Sequence, residues 1–326
     1  MVSKNKPGRK KIAVLSGGPS PEHDVSLASG KNVAANLNPD KYEVKGFVIS
    51  KKGEWPVEPA ELKKNFHLAF IAMHGPYGED GTVQSMLDAV KMPYTGSSAM
   101  VSALGMNKWL SLRLFQDAGL LIPPTIHFSK RAWLEGHDII IKNIKSYLPK
   151  PWVIKPNASG SSLGVKIVRD EKDLKQAMEF AFKDFKEIIV QEFIAGRELT
   201  CGVIDSGFAS SAFVLPPTEI VSVGSTFFDY KAKYEPAAAM EITPARLPDS
   251  YLQAVKRIAL KAHKILGCRS FSRSDFILNP KGKFYILETN TIPGMTENSL
   301  VPKAAQAMGV SFPKLLEIIV EGSLLI

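Results

Sequence analysis

The stretch Ile12-Ala13-Val14-Leu15-Ser16-Gly17-Gly18-Pro19-Ser20-Pro21-Glu22-His23, continuing as DVSLASG to Gly30, decides the fold of the N-terminal part of the chain. A short apolar strand, Ile12–Leu15, runs into a glycine–proline turn, and a helix with one apolar face is expected over Ser26–Leu37. Moving outward, the same alternation continues with strands at Val44–Ile49, Leu68–Met73 and Met92–Tyr94 and a helix at Thr82–Val90. Strands alternating with helices at this spacing predict a parallel sheet with helices on its faces. Ligands of such sheets bind at the carboxyl ends of the strands, which is where Gly17–His23 and His74–Gly81 fall.

A helix is expected at Asn107–Ala118, and Ile122-Pro123-Pro124 reads as a hinge into a second unit. From Trp152 onward the pattern changes. Strands at Trp152–Lys155, Val165–Val168, Ile188–Phe193 and Leu199–Ile204 are joined by glycine-rich turns, with helices at Glu171–Lys183 and Tyr251–Leu266. This part reads as α+β. It includes a long strand-poor segment, Pro216–Pro248, of the length that lids have.

With 326 residues, 45% of them hydrophobic and 22% charged, the chain suits a soluble globular protein of two or three domains. Cys201 and Cys268 lie in no metal or redox spacing and are expected to be buried thiols in a reducing compartment. The basic N-terminus leads directly into IAVLSGG, too short an apolar run for a signal peptide, and no run approaches the roughly 18 apolar residues of a membrane span. A cytoplasmic protein with no membrane partner is therefore expected. The net charge of +9, from 41 basic and 32 acidic residues, is spread over scattered lysines without interleaved aromatics, so no nucleic-acid partner is expected.

Several residues carry chemistry. The Gly17–His23 turn has the position of a phosphate cradle but lacks the Gly-Lys-Ser/Thr ending of a P-loop, and Glu22 at a helix start can be a plain cap. Lys155 lies in an apolar strand followed by Asn157-Ala158-Ser159-Gly160-Ser161-Ser162, whose N–H and hydroxyl groups can wrap phosphate; an edge-strand lysine beside a plain loop is the alternative. The strongest pattern is a hairpin: Phe271–Leu278, the turn Asn279-Pro280-Lys281-Gly282, then Phe284–Asn290. With Leu278 facing Lys283, Asp275 faces Ile286 and Arg273 faces Glu288, and alternation adds Asn290 to that side. Two carboxylates and an amide there suit Mg²⁺ completed by phosphate oxygens, the rival being a solvated Arg273–Glu288 ion pair. Beyond it, the Gly294 N–H can approach an oxyanion.

Together the motifs resemble the D-alanine–D-alanine ligase family from about Ile12 to the C-terminus: GGPSPEHDVSLASG (Gly17–Gly30), MHGPYGEDGTVQ (Met73–Gln84), YTGS (Tyr94–Ser97), VIKPNASGSSLGV (Val153–Val165), TFFDYKAKY (Thr226–Tyr234) and LETNTIPGMTENSLVPKAA (Leu287–Ala305). The resemblance implies an N-terminal parallel-sheet domain, residues 1–103, followed by a two-part ATP-grasp domain, residues 104–200 and 201–326, with a lid at 216–248. It implies ATP-dependent joining of two D-alanines through an acyl phosphate, for cell-wall precursors, with ATP and a pair of Mg²⁺ ions (Mn²⁺ as the alternative) and with a homodimer left open. Lys108 and Lys155 match phosphate-binding lysines, and Asp275, Glu288 and Asn290 match the metal ligands. Arg273 and Gly294 match the oxyanion donors. Glu22, with Ser161, Tyr234 and nearby His74, would orient the first D-alanine. Ser299, Leu300 and Lys233 would hold the second, Lys233 also reaching the γ-phosphate. Phe193 and Ile194 would meet adenine, and Glu198 the ribose. Two positions depart from the family: Gln191 stands where glutamate usually reaches the adenine amino group, and Asn107 where aspartate is common, which should alter only a local cap. Ligases that take D-lactate or D-serine second are the nearest rivals; a non-catalytic nucleotide-binding module would be expected to lose Asp275, Glu288 or Arg273.

Overall fold

The computed structural model describes residues 8–160, 163–207, 212–222 and 239–325, with the backbone alone at 222 and 239. Strands β1 (Lys10–Gly17), β2 (Tyr42–Ile49) and β3 (Leu68–Ile71) form a parallel sheet in the order β2-β1-β3. The expected strand Met92–Tyr94 reduces to a single parallel bridge between Ala69 and Tyr94. Pro93 has no N–H to give the ladder, and the Ile71 N–H is taken by the Thr95 hydroxyl instead. The first helix, His23–Asn36, begins three residues before the expected Ser26, with Glu22 at its N-cap position. It lies close on β1, where a Cβ on Gly30 would stand 2.5 Å from that of Ser16.

The second sheet is antiparallel, in the order β4-β7-β5-β6, from β4 (Thr125–Ser129), β5 (Trp152–Pro156), β6 (Lys166–Val168) and β7 (Glu187–Glu192). Helices Lys130–Tyr147 and Leu174–Asp184 cover it, burying Trp133, Ile140 and Ile144 with Trp152, Ile154 and Phe182. Strand β4 and the 18-residue helix after it were not expected from the sequence; Leu134 and Ile139 are exposed beside the buried stripe and blur its period.

The third sheet comprises β8 (Arg197–Ile204), β9 (Phe213–Val214), β10 (Thr218–Ser222), β11 (Ala239–Ile242), β12 (Phe271–Leu278) and β13 (Phe284–Asn290). Its path is β11-β10-β8-β12-β13, with β9 on β8. Helix Asp249–Leu266 covers one face, against Leu199, Cys201, Val203 and Phe276. The segment expected to be strand-poor, Pro216–Pro248, carries β10 and β11, which pair antiparallel. Its two strands are only five and four residues long, and the adjacent Ile220 and Val221 break the polar–apolar alternation, so the ribbon does not stand out beside the flanking prolines. Both cysteines are buried and free, and burial pushes each thiol up to about 12.

The chain ends in helices Leu300–Ala307 and Phe312–Ser323. Their Val301, Leu315, Leu316, Ile319 and Val320 share one core with Ile12, Val14 and Phe70 of the N-terminal sheet and with Phe271 of β12. Ile292, just past β13, packs with Leu15, Ile71 and Met73, so the carboxyl ends of β1 and β3 meet the end of β13. No helix among the described residues is long and apolar enough to cross a membrane.

Candidate active site

The hairpin β12–β13 supplies the charged centre, in a register that differs from the sequence expectation. The turn is longer by one residue: Asn279 pairs with Lys283 through the backbone, and its side chain accepts from the N–H groups of Lys281 and Lys283. Leu278 therefore faces Phe284, not Lys283. A bulge between Asp275 and Phe276 then brings Asp275 opposite Glu288 and Arg273 opposite Asn290. Strict alternation from the fully buried Ile286 would turn Glu288 into the core; the extra residue Leu287 turns it instead to the half-buried face that carries Arg273 and Asp275.

On that face Arg273 grips Asp275 bidentately, Nε to Oδ1 at 2.9 Å and Nη2 to Oδ2 at 2.8 Å. Thr200 of β8 donates to Asp275 Oδ1 at 2.6 Å. Burial alone would depress the guanidinium pKa, but Asp275, with Glu288 and Glu79 behind it, raises it above the ordinary arginine value. Lys108, at the start of helix Lys108–Asp117, places Nζ 3.3 Å from Glu288 Oε2 and donates to the Ser159 carbonyl at 2.6 Å. Asn290 Oδ1 accepts from the Ile292 N–H at 2.7 Å, which fixes the amide as the chain leaves the sheet.

Asn107 is the N-cap of the Lys108 helix, its Oδ1 accepting from Leu110 N–H at 3.0 Å and from Asn157 Nδ2 at 3.1 Å. Asn157 also accepts from the Lys108 and Trp109 N–H groups and donates to Glu187, so the loop after β5 is bolted to the helix that presents Lys108. Lys155 is half-buried in β5, paired with Ile189 of β7. Gln191 is buried in β7 and donates Nε2 to Thr125 Oγ1 at 2.9 Å. Phe193 and Ile194 lie half-buried in the link from β7 to β8, with the Arg169 guanidinium 5.7 Å from the Phe193 ring. Glu198 lies two residues before Thr200 on β8, hence on the same face, opposite Ile277.

Glu22 arrives from the other side. Although it is an N-cap residue, its carboxylate makes no capping bond. It is buried between two glycines: a Cβ on Gly75 or on Gly160 would lie 2.7 or 2.5 Å from Oε2, so both backbones approach it closely. His74 is buried with both ring nitrogens engaged, Nε2 with Ser29 Oγ at 2.8 Å and Nδ1 with the Ile292 carbonyl at 3.2 Å and Glu79 at 3.5 Å. Gly294 lies against Ser299, whose Oγ accepts from the Thr296 N–H at 3.0 Å, and Leu300 opens the helix that follows. Ser161, Lys233 and Tyr234 lie outside the described residues. Sequence reasoning missed Thr200, Ser29, Asn32, Glu79 and Asn157 as parts of this site. All five are short or polar residues inside regular pattern positions or motif runs, and only their cross-chain partners set them apart.

Lys108, tied to the loop after β5 of the second sheet, thus meets Glu288 of the third, while Glu22 and the Gly75 turn of the parallel unit come up against Gly160 of that same loop. ATP-grasp ligases trap a nucleotide between two such sheets, and the fold and site assign the chain to that class. Residues 114–321 match the family model described as D-ala D-ala ligase C-terminus, and residues 11–65 and 57–97 match D-ala D-ala ligase N-terminus. The D-alanine–D-alanine ligase of Citrifermentans bemidjiense is 40% identical over 308 residues, 94% of each chain. That of Clostridium beijerinckii is 38% identical over 96% of this chain and 98% of its own. Among solved structures, the VanG D-Ala:D-Ser ligase from Enterococcus faecalis matches with TM-score 0.85 and 31% identity over 97% of this chain and 100% of its own. The D-alanine–D-alanine ligase from Bacillus anthracis complexed with ATP matches with TM-score 0.80 and 32% identity over 97% of each. The chain belongs to the D-alanine–D-alanine ligase family.

Proposed function

We propose that this enzyme joins two D-alanine molecules at the expense of ATP, forming D-alanyl-D-alanine for cell-wall precursors through an acyl phosphate. One observation carries the reading: the cross-strand pair Asp275 and Glu288, each with its own cation, Arg273 and Lys108, opens on the cleft that also holds Glu22 and Gly294. Phosphoryl transfer to a carboxylate is catalysed chiefly by positioning and charge neutralisation, which such a cluster supplies. No group of three or more His, Cys, Asp or Glu arranged to hold an ion occurs among the described residues. Two carboxylates and an amide fit Mg²⁺ only if phosphate oxygens complete the shell, as in nucleotide enzymes. Asp275, Glu288 and Asn290 would hold it, and bound there it would neutralise the transferring phosphate.

In this reading Lys108 and Lys155 take the phosphates, Glu198 the ribose, and Gln191 with the Phe193–Ile194 backbone the adenine. Glu22 anchors the first D-alanine's ammonium, aided by Ser161 and Tyr234. Arg273 and the Gly294 N–H stabilise the oxyanion when the second amine attacks. Ser299 and Leu300, at a helix N-terminus that favours anions, receive the second carboxylate together with Lys233. In this reading the enzyme works in the cytoplasm, where ATP is supplied. The likeness to a D-Ala:D-Ser ligase supports D-serine as the second reading for the acceptor.

ADP release, measured with D-alanine, L-alanine, D-serine and D-lactate and followed by mass spectrometry of the products, tests the assignment. D-Ala-D-Ala as the main product in equimolar mixtures is expected. Dominant D-Ala-D-Ser or D-Ala-D-lactate would overturn the acceptor, and no D-alanine-dependent ADP release would overturn the reaction.

A further inference from the structure

The segment that carries Gly294 and Ser299 is held from outside the ATP-binding sheets. Met295 is buried, and both its backbone groups are tied to the first helix, His23–Asn36. Asn32 Nδ2 donates to the Met295 carbonyl at 2.8 Å, and the Met295 N–H points at Ser29 Oγ at 3.4 Å. The Asn32 amide is oriented by Asn36, whose Nδ2 donates to Asn32 Oδ1 at 3.1 Å and so leaves the Asn32 N–H to face Met295. Ser29 is oriented in turn by His74. The Nδ1 of that ring faces two acceptors, the Ile292 carbonyl and Glu79, so it carries the proton, and Nε2 accepts from the Ser29 hydroxyl. Glu79 is itself fixed by the Gly75 N–H at 3.0 Å.

We infer that Ser29 and Asn32, with His74 behind Ser29, are positioning residues that set the second-substrate subsite, and with it the choice of acceptor, from the same helix whose N-cap residue, Glu22, faces the first substrate. The inference rests on the function proposed above and adds residues to its acceptor site. One rigid helix spans the two subsites. Glu22 is at its start, Ser29 and Asn32 lie two to three turns along, and the Met295 peptide they grip is adjacent to Gly294 and four residues from Ser299. The distance between the two amino acids is then set by a helix, the most rigid spacer the fold offers, and not by the loop itself. With both ring nitrogens committed inside the protein, His74 acts on the acceptor through Ile292 and Ser29. A displacement of the Gly294–Ser299 turn by a fraction of an ångström would fall on the acceptor carboxylate and the attacking amine, while ATP and the first D-alanine, held by other elements, would be spared.

Asn32→Asp tests this in a half-buried position with unchanged shape: the donor to Met295 is replaced by an oxygen that repels the carbonyl. Ser29→Ala removes the second tie. Initial rates over a wide range of D-alanine concentration separate the Michaelis constants of the two sites, and nucleotide affinity is read by calorimetry. Each variant is expected to raise the acceptor constant roughly five- to tenfold, the worth of one hydrogen bond, with the donor-site constant and ATP affinity within about twofold. The product ratio between competing acceptors is expected to shift as well. A purely structural role would lower thermal stability and move both constants together, and that result, or an unchanged acceptor constant in Asn32→Asp, overturns the inference. The acceptor constant is read with whichever second substrate the wild-type enzyme uses, so failure of the D-alanine assignment and failure of the positioning role give different results.

Discussion

Replacing Gln191 by glutamate tests the adenine side of the cleft, because the structure determines what each end of that side chain can do. Gln191 is 1% exposed, and its Nε2 donates to Thr125 Oγ1, which passes its own proton to the Pro123 carbonyl at 2.6 Å. The chain of donors runs one way, from strand β7 to the hinge prolines. With Nε2 committed, the carbonyl oxygen is the atom that can accept from the adenine amino group. A carboxylate there has no hydrogen to give: it either faces the Thr125 oxygen unpaired or takes the hydroxyl proton and orphans the Pro123 carbonyl. Either outcome costs about 1–3 kcal/mol in the nucleotide-free protein, enough to lower its melting temperature by a few degrees. Towards ATP the sign reverses, since a charge-assisted bond to the amino group is worth about 1 kcal/mol more than a neutral one, about fivefold in affinity. Calorimetry with a non-hydrolysable ATP analogue, at pH 8 to keep the new carboxyl ionised, should show that tightening. Melts without nucleotide should show the loss. Unchanged or weaker ATP affinity would place Gln191 away from the adenine edge, and an unchanged melting temperature would contradict the hydrogen-bond chain.

Two further outcomes follow from the charged groups. Glu288→Gln should cut turnover by on the order of a hundredfold or more while the protein stays folded, because it removes a metal-ligand charge and leaves Lys108 the Ser159 carbonyl as partner. Turnover near wild type under saturating Mg²⁺ would sink the metal assignment. His263, buried against Ser272 with Asp205 too distant to compensate, is pushed down to about 4 from 6.5 by burial. Its folded pKa is depressed, so the unfolded chain binds more protons between those values. The stability is present above pH 6.5 and is lost as pH falls toward 4, by on the order of 3 kcal/mol at most. Urea midpoints should fall over that window in wild type and fall less in His263→Asn; equal slopes would refute the burial argument.

Much of this site was legible because its chemistry sits on regular elements. The alternation Arg273, Asp275, then Glu288, Asn290 marks one face of a hairpin, and the cleft-facing group survives in the structure. The pairing was not legible, since a five-residue turn braced by the Asn279 side chain and a bulge at Leu287 each shift the register by one in the same direction: together they move the pairs beyond the bulge by two residues and so restore the face, and neither has a strong sequence signal. Asn107 was read as a cap and is one, because asparagine can accept the helix N–H groups as aspartate would. The ties from Ser29 and Asn32 to Met295 span more than 260 residues of sequence and exist only because Leu315, Leu316 and Ile319 dock the chain's end onto the first sheet. Nothing local in LASGKN announces them.

The charges of the cleft explain how a site can be satisfied on its own and still receive a nucleotide. Asp275 and Glu288 are balanced by Arg273 and Lys108, so removing one partner leaves its mate short of a compensating charge in a place that is only partly solvated. The desolvation of all four groups has already been met in folding. In the proposed reading a magnesium–nucleotide complex would bring a dication and phosphate anions together, and each resident group could exchange one opposite charge for another of the same sign. Asp275 and Glu288 would then hold the metal, and Arg273 and Lys108 would take the phosphate or the developing oxyanion. Such an exchange needs no fresh burial of unpaired charge. Its cost lies in moving side chains, and the Thr200 hydroxyl keeps Asp275 in place while Arg273 lets go.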